Sequence, residues 1–382
     1  MSISKKRLCA IFMMGSAALF LQLGILQHVS AEAVTSNPFR VGVHPFDVAI
    51  NNNTHKVFVS DLQGYSVFVF DDSAQRVIGN ISLLDVSPEL KFDYEPTYLA
   101  VDPTTNRLYV TYECDCHPSY ISVIDGATYK VVDKITIPNL PTGIALNHLT
   151  NKIYITYGNN ETTVLDGATQ KIISNITTQV PISKVAVDMK TNRIYLGTSS
   201  SGEVLIADGN SDSVIGTIPL HVGARIADLA VNEKSNLVYA LSTSTSAGSG
   251  DLPVPSATLS IVDGQSNTVI GKSIPIGSSG GIAIDEAHNR TFISQNYGNS
   301  IFTVNQSDNM TTFSNLMVGE KYYPNRLAFS GDSGHLYAVT TGTYVMLSIG
   351  SQELPTPEFS SSTSFIVAGV AVTLIVLLRK RL

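Results

Sequence analysis

A chain of 382 residues that is 43% hydrophobic and 14% charged can bury a sizeable globular core, which excludes a disordered or fibrous protein. Its formal charge of −7, from Lys+Arg 24 against Asp+Glu 31, argues against nucleic-acid binding, which rests on neutralising phosphates. Trp is absent, so packing falls to Val, Ile, Leu, Tyr and Phe.

Residues 1–31 read as a secretory signal peptide. Lys5, Lys6 and Arg7 precede a largely apolar stretch over 8–26, and the sequence VSAEA offers cleavage after Ala31 or Ala33. An uncleaved N-terminal anchor is the alternative, because the apolar stretch is long for a signal. Beyond it, NPFRVG over 37–42 aligns with a later segment, DKITIP over 133–138.

The stretch 95–137 sets the pattern for the rest. Four runs rich in β-branched and aromatic residues, over 98–101, 107–112, 120–124 and 130–137, are separated by Asp-Pro-Thr-Thr-Asn, a Cys-containing loop and Asp-Gly. This is an antiparallel four-stranded meander. One such sheet cannot bury both of its apolar faces, and the sequence answers by repetition. An inner-strand alanine recurs in DVAI at Ala49, YLAV at Ala100, GIAL at Ala145, KVAV at Ala186, DLAV at Ala230, GIAI at Ala283 and RLAF at Ala328. A turn and a second strand follow each, and third strands end at Asp71-Asp72, Asp125-Gly126, Asp166-Gly167, Asp208-Gly209, Asp263-Gly264 and Asn305-Gln306. Asx-Gly suits a tight hairpin turn with positive φ. A four-stranded repeat of about 40–50 residues is the signature of a β-propeller.

Seven inner strands predict seven blades over 37–350. The last repeat supplies only three strands, over 325–329, 335–340 and 343–349, so 37–42 is expected to complete it and close the ring without free edges. The expected fold is therefore all-β: a seven-bladed β-propeller of four-stranded antiparallel blades, closed by an N-terminal strand in the last blade and flanked by N- and C-terminal hydrophobic helices.

The second-strand motif reads YVTY at Tyr109, YITY at Tyr154 and YLGT at Tyr195, and VIDGATYKVVDKITIP follows at Val123. These motifs resemble the YVTN family of β-propeller repeat proteins, and the likeness covers roughly the whole of 37–350. The resemblance implies a propeller fold and a surface or secreted location, of the kind found among archaeal surface-layer components. It implies no particular reaction.

At the C-terminus a Ser/Pro-rich linker over 351–364 leads to FIVAGVAVTLIVLL over 365–378 and the basic tip Arg379-Lys380-Arg381-Leu382. Motif, apolar segment and basic tail resemble the PEF-type sorting signals of archaeal surface proteins, in which the apolar segment is cut off and replaced by an anchor. An ordinary C-terminal membrane anchor is the alternative. Either places the propeller on the outer face of the cell membrane, because a basic tip stays in the cytoplasm. The two ends hold six of the basic residues, so the region between them sets 18 Lys and Arg against all 31 acidic residues.

No GxSxG elbow, HExxH, P-loop, haem-attachment or EF-hand pattern is present, so no catalytic residue and no organic cofactor is assigned. DPTTN at Asp102 and DMKTN at Asp188 read as Asx turns. The excess loop length falls over 84–95, 113–119 and 242–255, all on the face of interblade crossings and second-to-third loops. Tyr94, Tyr112, Tyr157, Tyr297, Tyr322 and Tyr323 are binding-face candidates there, with edge packing as the plain alternative. Cys114-Asp115-Cys116-His117 lies on the same face. Cys114 and Cys116 are disulfide candidates in an oxidising exterior, metal candidates together with His117, or without special role. Sequons stand at Asn52, Asn80, Asn160, Asn175, Asn289, Asn305 and Asn309.

Two functions follow. The first is a cell-surface, membrane-tethered, non-catalytic propeller that binds protein or glycan or associates with a surface layer. The second is an extracellular enzyme of lactonase or quinoprotein type, with a metal ion at the axial funnel.

Overall fold

The computed structural model describes residues 30–33, 36–84, 95–113, 119–245, 255–278, 280–307 and 310–350. Within them the chain forms seven sheets whose first strands pack side by side in chain order, that of the seventh returning to that of the first. This is a seven-bladed β-propeller. Blade two shows the pattern, with strands Glu95–Asp102, Arg107–Glu113, Ser119–Asp125 and Lys130–Ile137 antiparallel from axis to rim.

Burial runs in the same direction. The second strands are apolar on both faces and buried, as in Lys56–Asp61 and Arg193–Thr198, because each sheet is covered on both sides by a neighbouring blade. The fourth strands, such as Arg76–Ser82 and Lys171–Thr177, are mostly exposed. Between blades lie apolar clusters. Val67 and Val69 of blade one meet Leu99, Leu108 and Val110 of blade two, and Tyr337 and Met346 of blade seven meet Val57 and Phe70 of blade one. The second-strand aromatics Phe58, Tyr109, Tyr154, Tyr195, Tyr239, Phe292 and Tyr337 are all fully buried. At roughly 1.5–3 kcal/mol for each large apolar side chain buried, these seams hold the ring together.

The ring closes as the repeat count requires. Ser36–Arg40 pairs antiparallel with Val345–Ile349, Phe39 opposite Met346, and supplies the fourth strand of blade seven. The Phe39 ring then meets Phe70 of blade one edge-on at 4.8 Å.

Three expectations are corrected. First, the described residues contain no α-helix, only the 3-10 turn Asn52–Thr54, and no helix among them is long and apolar enough to cross a membrane. The stretches expected to form flanking hydrophobic helices lie outside the described residues. The described N-terminal flank is instead a strand, Ser30–Ala33, which adds in parallel to Met310–Met317 as a fifth strand of blade six. Its register puts the expected cleavage positions within the sheet. Second, the rim strand of blade five is broken into Thr268–Val269 and Ile274–Gly277, with Gly271 at φ +65° between them.

Third, the glycine of the Asp-Gly turns is not the residue with positive φ. That conformation falls on Tyr129, Gln170, Asp212 and Asn267, further along each turn, and on Gln75 in the Asp71-Asp72 turn of blade one. The turn is held by its aspartate: Asp125 Oδ1 accepts from the backbone N–H groups of Ala127 and Thr128 and from the Thr128 hydroxyl. These bonds, the Thr128 backbone first, hold the Asp125 carboxyl below its ordinary range. The glycine is needed because an asparagine of the first-to-second turn packs against it. A Cβ on Gly126 would stand 2.4 Å from Asn106 Oδ1. Asn106, Asn151, Asn192, Asn236 and Asn289 each adopt the left-handed conformation just before or near the second strand, which Asn tolerates better than bulkier residues.

Candidate functional site

The residue two places before each inner-strand alanine reaches the propeller axis. Blade by blade these are Asp47, Tyr98, Gly143, Lys184, Asp228, Gly281 and Arg326, and together with the residue after each they line one cavity of about 180 Å³. Along the first strands they range from just before the strand, at Gly281, to its middle, at Tyr98, Asp228 and Arg326. The cavity is below the roughly 300 Å³ of a drug-sized ligand site, so only a small molecule or the tip of a larger one enters.

Charges of both signs interleave there. Arg326 Nη1 lies 3.3 Å from Asp228 Oδ2, past the position that Gly281 leaves without a side chain. Lys184 Nζ donates to the Thr142 carbonyl at 2.9 Å and sits 4.6 Å from the centre of the Tyr98 ring. The Arg326 guanidinium is 5.6 Å from that same ring. Both carboxylates also tie blades together: Asp47 Oδ2 accepts from Leu99 N–H and Asp228 Oδ2 from Ile282 N–H, each at 3.0 Å.

Burial sets the electrostatics. It pushes the Asp47 carboxyl above its ordinary value, against the pull of Arg326. It pulls Lys184 down to about 7, assisted by Arg326. Burial also opposes the charge of Arg326, but Asp228 and Asp47 outweigh it and hold the guanidinium above its usual value. Titratable groups displaced in both directions inside one cavity mark it as the candidate site.

The bore does not suit the axial metal ion of the enzyme alternative. A hard divalent cation needs several converging oxygens. Here two carboxylates already accept backbone N–H groups, and an ammonium and a guanidinium stand between them. Elsewhere among the described residues no group of three or more His, Cys, Asp and Glu side chains is placed to hold a metal. Cys114, Cys116 and His117 lie outside the described residues.

The tyrosines separate into two kinds. Tyr112 is buried with its hydroxyl 2.7 Å from Ser122 Oγ, and Tyr157 is buried with its hydroxyl pushed up to about 12 by desolvation. Both are wall residues and are corrected out of the open face. Tyr297 is 73% exposed and Tyr323 is exposed, whereas Tyr322 is half-buried against the core beneath blades six and seven. Tyr94 lies outside the described residues.

Among the sequons, Asn52, Asn80, Asn160 and Asn175 are exposed. Asn305 is buried and so not open to glycosylation, while Asn289 is half-buried and accepts a hydrogen bond on Oδ1 from Asn232 of the preceding blade. Asn309 lies outside the described residues. Asp102 and Asp188 cap their turns, accepting from Thr104 and Thr191 N–H groups respectively.

The axial residues escaped the sequence reading although their signal is plain beside the alanines: D, Y, G, K, D, G and R two places upstream. Charged and glycine residues at one repeat position of an otherwise apolar strand mark a surface that meets no neighbouring strand.

No family model matches this chain, and no curated protein matches it. Solved structures do. It is similar to a Kuenenia stuttgartiensis hydrazine synthase chain at TM-score 0.67 and 15% identity, covering 87% of this chain and 100% of that one. It is similar to the Cps50 (Swd1) β-propeller domain of Myceliophteria thermophila at TM-score 0.64 and 12% identity, covering 82% and 98%. The WD40 domain of Pan2 from Neurospora crassa matches at TM-score 0.62 and 11% identity, covering 86% and 99%. At these identities the likeness shows the β-propeller fold alone.

Proposed function

We propose that this seven-bladed propeller is exported and held at the outer face of the cell membrane, where it binds a protein or glycan partner without catalysing a reaction. The partner docks on the face of interblade crossings and second-to-third loops. One observation carries the reading. Leaving aside the rim strands, the large apolar side chains exposed among the described residues are Val43, Leu84, Val222, Tyr297, Tyr323 and Tyr344 on that face, against Leu149 on the other. Apolar side chains gathered on one face, with tyrosine prominent, are what interaction surfaces expose.

The outer location draws on sequence: the basic-then-apolar N-terminus, the apolar run over 365–378 with its basic tip, and the likeness to YVTN repeat proteins and to PEF-type sorting signals. Exposed Asn52, Asn80 and Asn175 leave room for glycans on the base and rim, away from the docking face. A surface-layer association would follow from the same placement.

The test has two arms. A membrane-impermeant amine reagent applied to intact cells should label the protein. Full-length protein should retain a surface-extract partner that the double substitution Tyr297→Ala with Tyr323→Ala releases. Labelling only after lysis defeats the location, and retention indifferent to both substitutions defeats the docking face.

A further inference from the structure

The bore offers more hydrogen-bond donors than its own acceptors use. A lysine brings three N–H groups, an arginine five, and neither can accept. Lys184 donates to Thr142 O, and Arg326 reaches one oxygen of Asp228 at 3.3 Å and hydrogen-bonds the Tyr98 hydroxyl, which leaves donors over on both. The acceptors that would balance them are partly engaged already, because Asp47 and Asp228 each take a backbone N–H from the next blade. Lys184 is only 5% exposed, so most of its remaining donor capacity can be met only from within the cavity. Buried donors without acceptors are costly, and buried polar groups are as a rule satisfied.

We infer that the axial bore is a binding site for a small carboxylate, gripped between the Lys184 ammonium and the Arg326 guanidinium beside the Tyr98 ring. Shape and charge select this chemistry. The planar guanidinium fork matches a planar carboxylate. The cavity of about 180 Å³ admits a carboxylate bearing a few further atoms. Two acids against two bases give the bore no net positive charge, so a dianion such as phosphate meets more uncompensated repulsion there than a monoanion does. Gly143 and Gly281 keep side chains out of the places between Tyr98 and Lys184 and between Asp228 and Arg326.

Binding should be linked to a proton. The charged and titratable groups around Lys184 are Asp47, Tyr98, Arg225, Asp228 and Arg326, and burial with Arg326 brings the lysine near 7. An arriving anion favours the ammonium form, so above that pH binding takes up one proton and weakens by up to about tenfold per pH unit. The carboxylate has two sources, a free small acid or an acidic sugar of a glycan lying on the mouth of the bore. The inference does not rest on where the protein resides.

Calorimetric titration of full-length protein with acetate, acetamide and digalacturonate tests it. Saturable acetate or digalacturonate binding is expected, unaffected by acetamide, weaker at about pH 8 than at about pH 6, and reduced at least about fivefold in Lys184→Met and in Arg326→Met. Acetate binding assigns a free acid, and binding of digalacturonate alone assigns a glycan carboxylate. No binding of either, competition by acetamide, or a smaller loss in both variants overturns the inference. Where thermal melts show a variant unfolded, the acetamide and pH comparisons on the unaltered protein decide by the same criteria.

Discussion

Asp72 of blade one accepts a hydrogen bond from the Ser330 hydroxyl of blade seven at 2.6 Å, across 258 residues of chain. The same buried carboxylate accepts from Ser333 Oγ at 2.7 Å and from the Tyr337 hydroxyl, whose proton burial and Asp72 hold far above its ordinary value. Gln75, in the same turn, donates to the Tyr337 oxygen and accepts from Ser348 Oγ. In blades two to five the position of Asp72 is taken by Gly126, Gly167, Gly209 and Gly264, none of which can form such a clasp. The seam where the two ends of the chain meet is thus pinned by polar as well as apolar contacts.

Asp72→Ala strands the buried Ser330 and Tyr337 hydroxyls and the half-buried Ser333 hydroxyl at that seam. Leaving buried partners of a carboxylate unpaired costs about 2–4 kcal/mol. Urea denaturation should show a loss of that size, and a clearly smaller one for Asp125→Ala in an exposed turn of blade two. Equal midpoints for the two variants would show that the clasp contributes nothing.

Gly126→Ala should destabilise by about 1–3 kcal/mol, since its Cβ falls 2.4 Å from Asn106 Oδ1 and 2.8 Å from the Asn106 carbonyl oxygen. Gly79→Ala is the control, because its nearest neighbour, Val69 Cβ, is 3.9 Å away and its φ is ordinary. Thermal melts of the pair separate close approach from glycine's general flexibility. A Gly79→Ala loss matching that of Gly126→Ala would refute the packing account.

Lys184 gives the fold a pH dependence whose sign can be worked out. Its folded value of about 7 lies below the 10.5 of an unperturbed lysine. Between these values the unfolded chain holds a proton that the folded chain has lost, so stability rises with pH over that window and is flat below it with respect to this group. The Tyr98 hydroxyl, raised by burial, works in the opposite direction only above about pH 10. Denaturation series from about pH 6 to about pH 9 should rise for the unaltered protein and lose that slope in Lys184→Met. An unchanged slope in the variant would assign the effect elsewhere.

The two kinds of tyrosine should respond oppositely to truncation. Tyr112→Ala empties a buried site and removes the bond to Ser122, at a cost of about 3–5 kcal/mol. Tyr297→Ala, at a side chain 73% exposed, should leave the melt within about 0.5 kcal/mol while weakening partner retention. Loss of stability in Tyr297→Ala would make it a packing residue instead.

Much of the architecture was legible because the propeller writes one pattern seven times. The runs read over 107–112 and 130–137 lie within the observed Arg107–Glu113 and Lys130–Ile137, and 37–42 overlaps the closing strand Ser36–Arg40. What stayed hidden depends on neighbours that no single repeat contains. Gly126 looks like a residue chosen for backbone freedom until Asn106 is placed against it. Tyr112 and Tyr297 both end or follow a second strand, and only the packing of the adjacent blade decides which is covered. The axial side chains are the extreme case. Asp47, Lys184, Asp228 and Arg326 are far apart in sequence and acquire meaning together only once the circle is drawn. The fifth strand of blade six was illegible because Ser30–Ala33 carries the composition of a cleavage region and not of a strand.

The pairing of Phe39 with Met346 has a kinetic consequence. Partners about 300 residues apart make this a contact of long sequence separation, and loop closure of that length must precede any reward from it. During synthesis Ser36–Arg40 has no mate until Val345–Ile349 has left the ribosome. Blades one to six can gather in turn, but until then they form an open crescent with a bare flank at each end, a species prone to association with its like. Joining Ser36–Arg40 to Val345–Ile349 is the contact that removes both bare flanks.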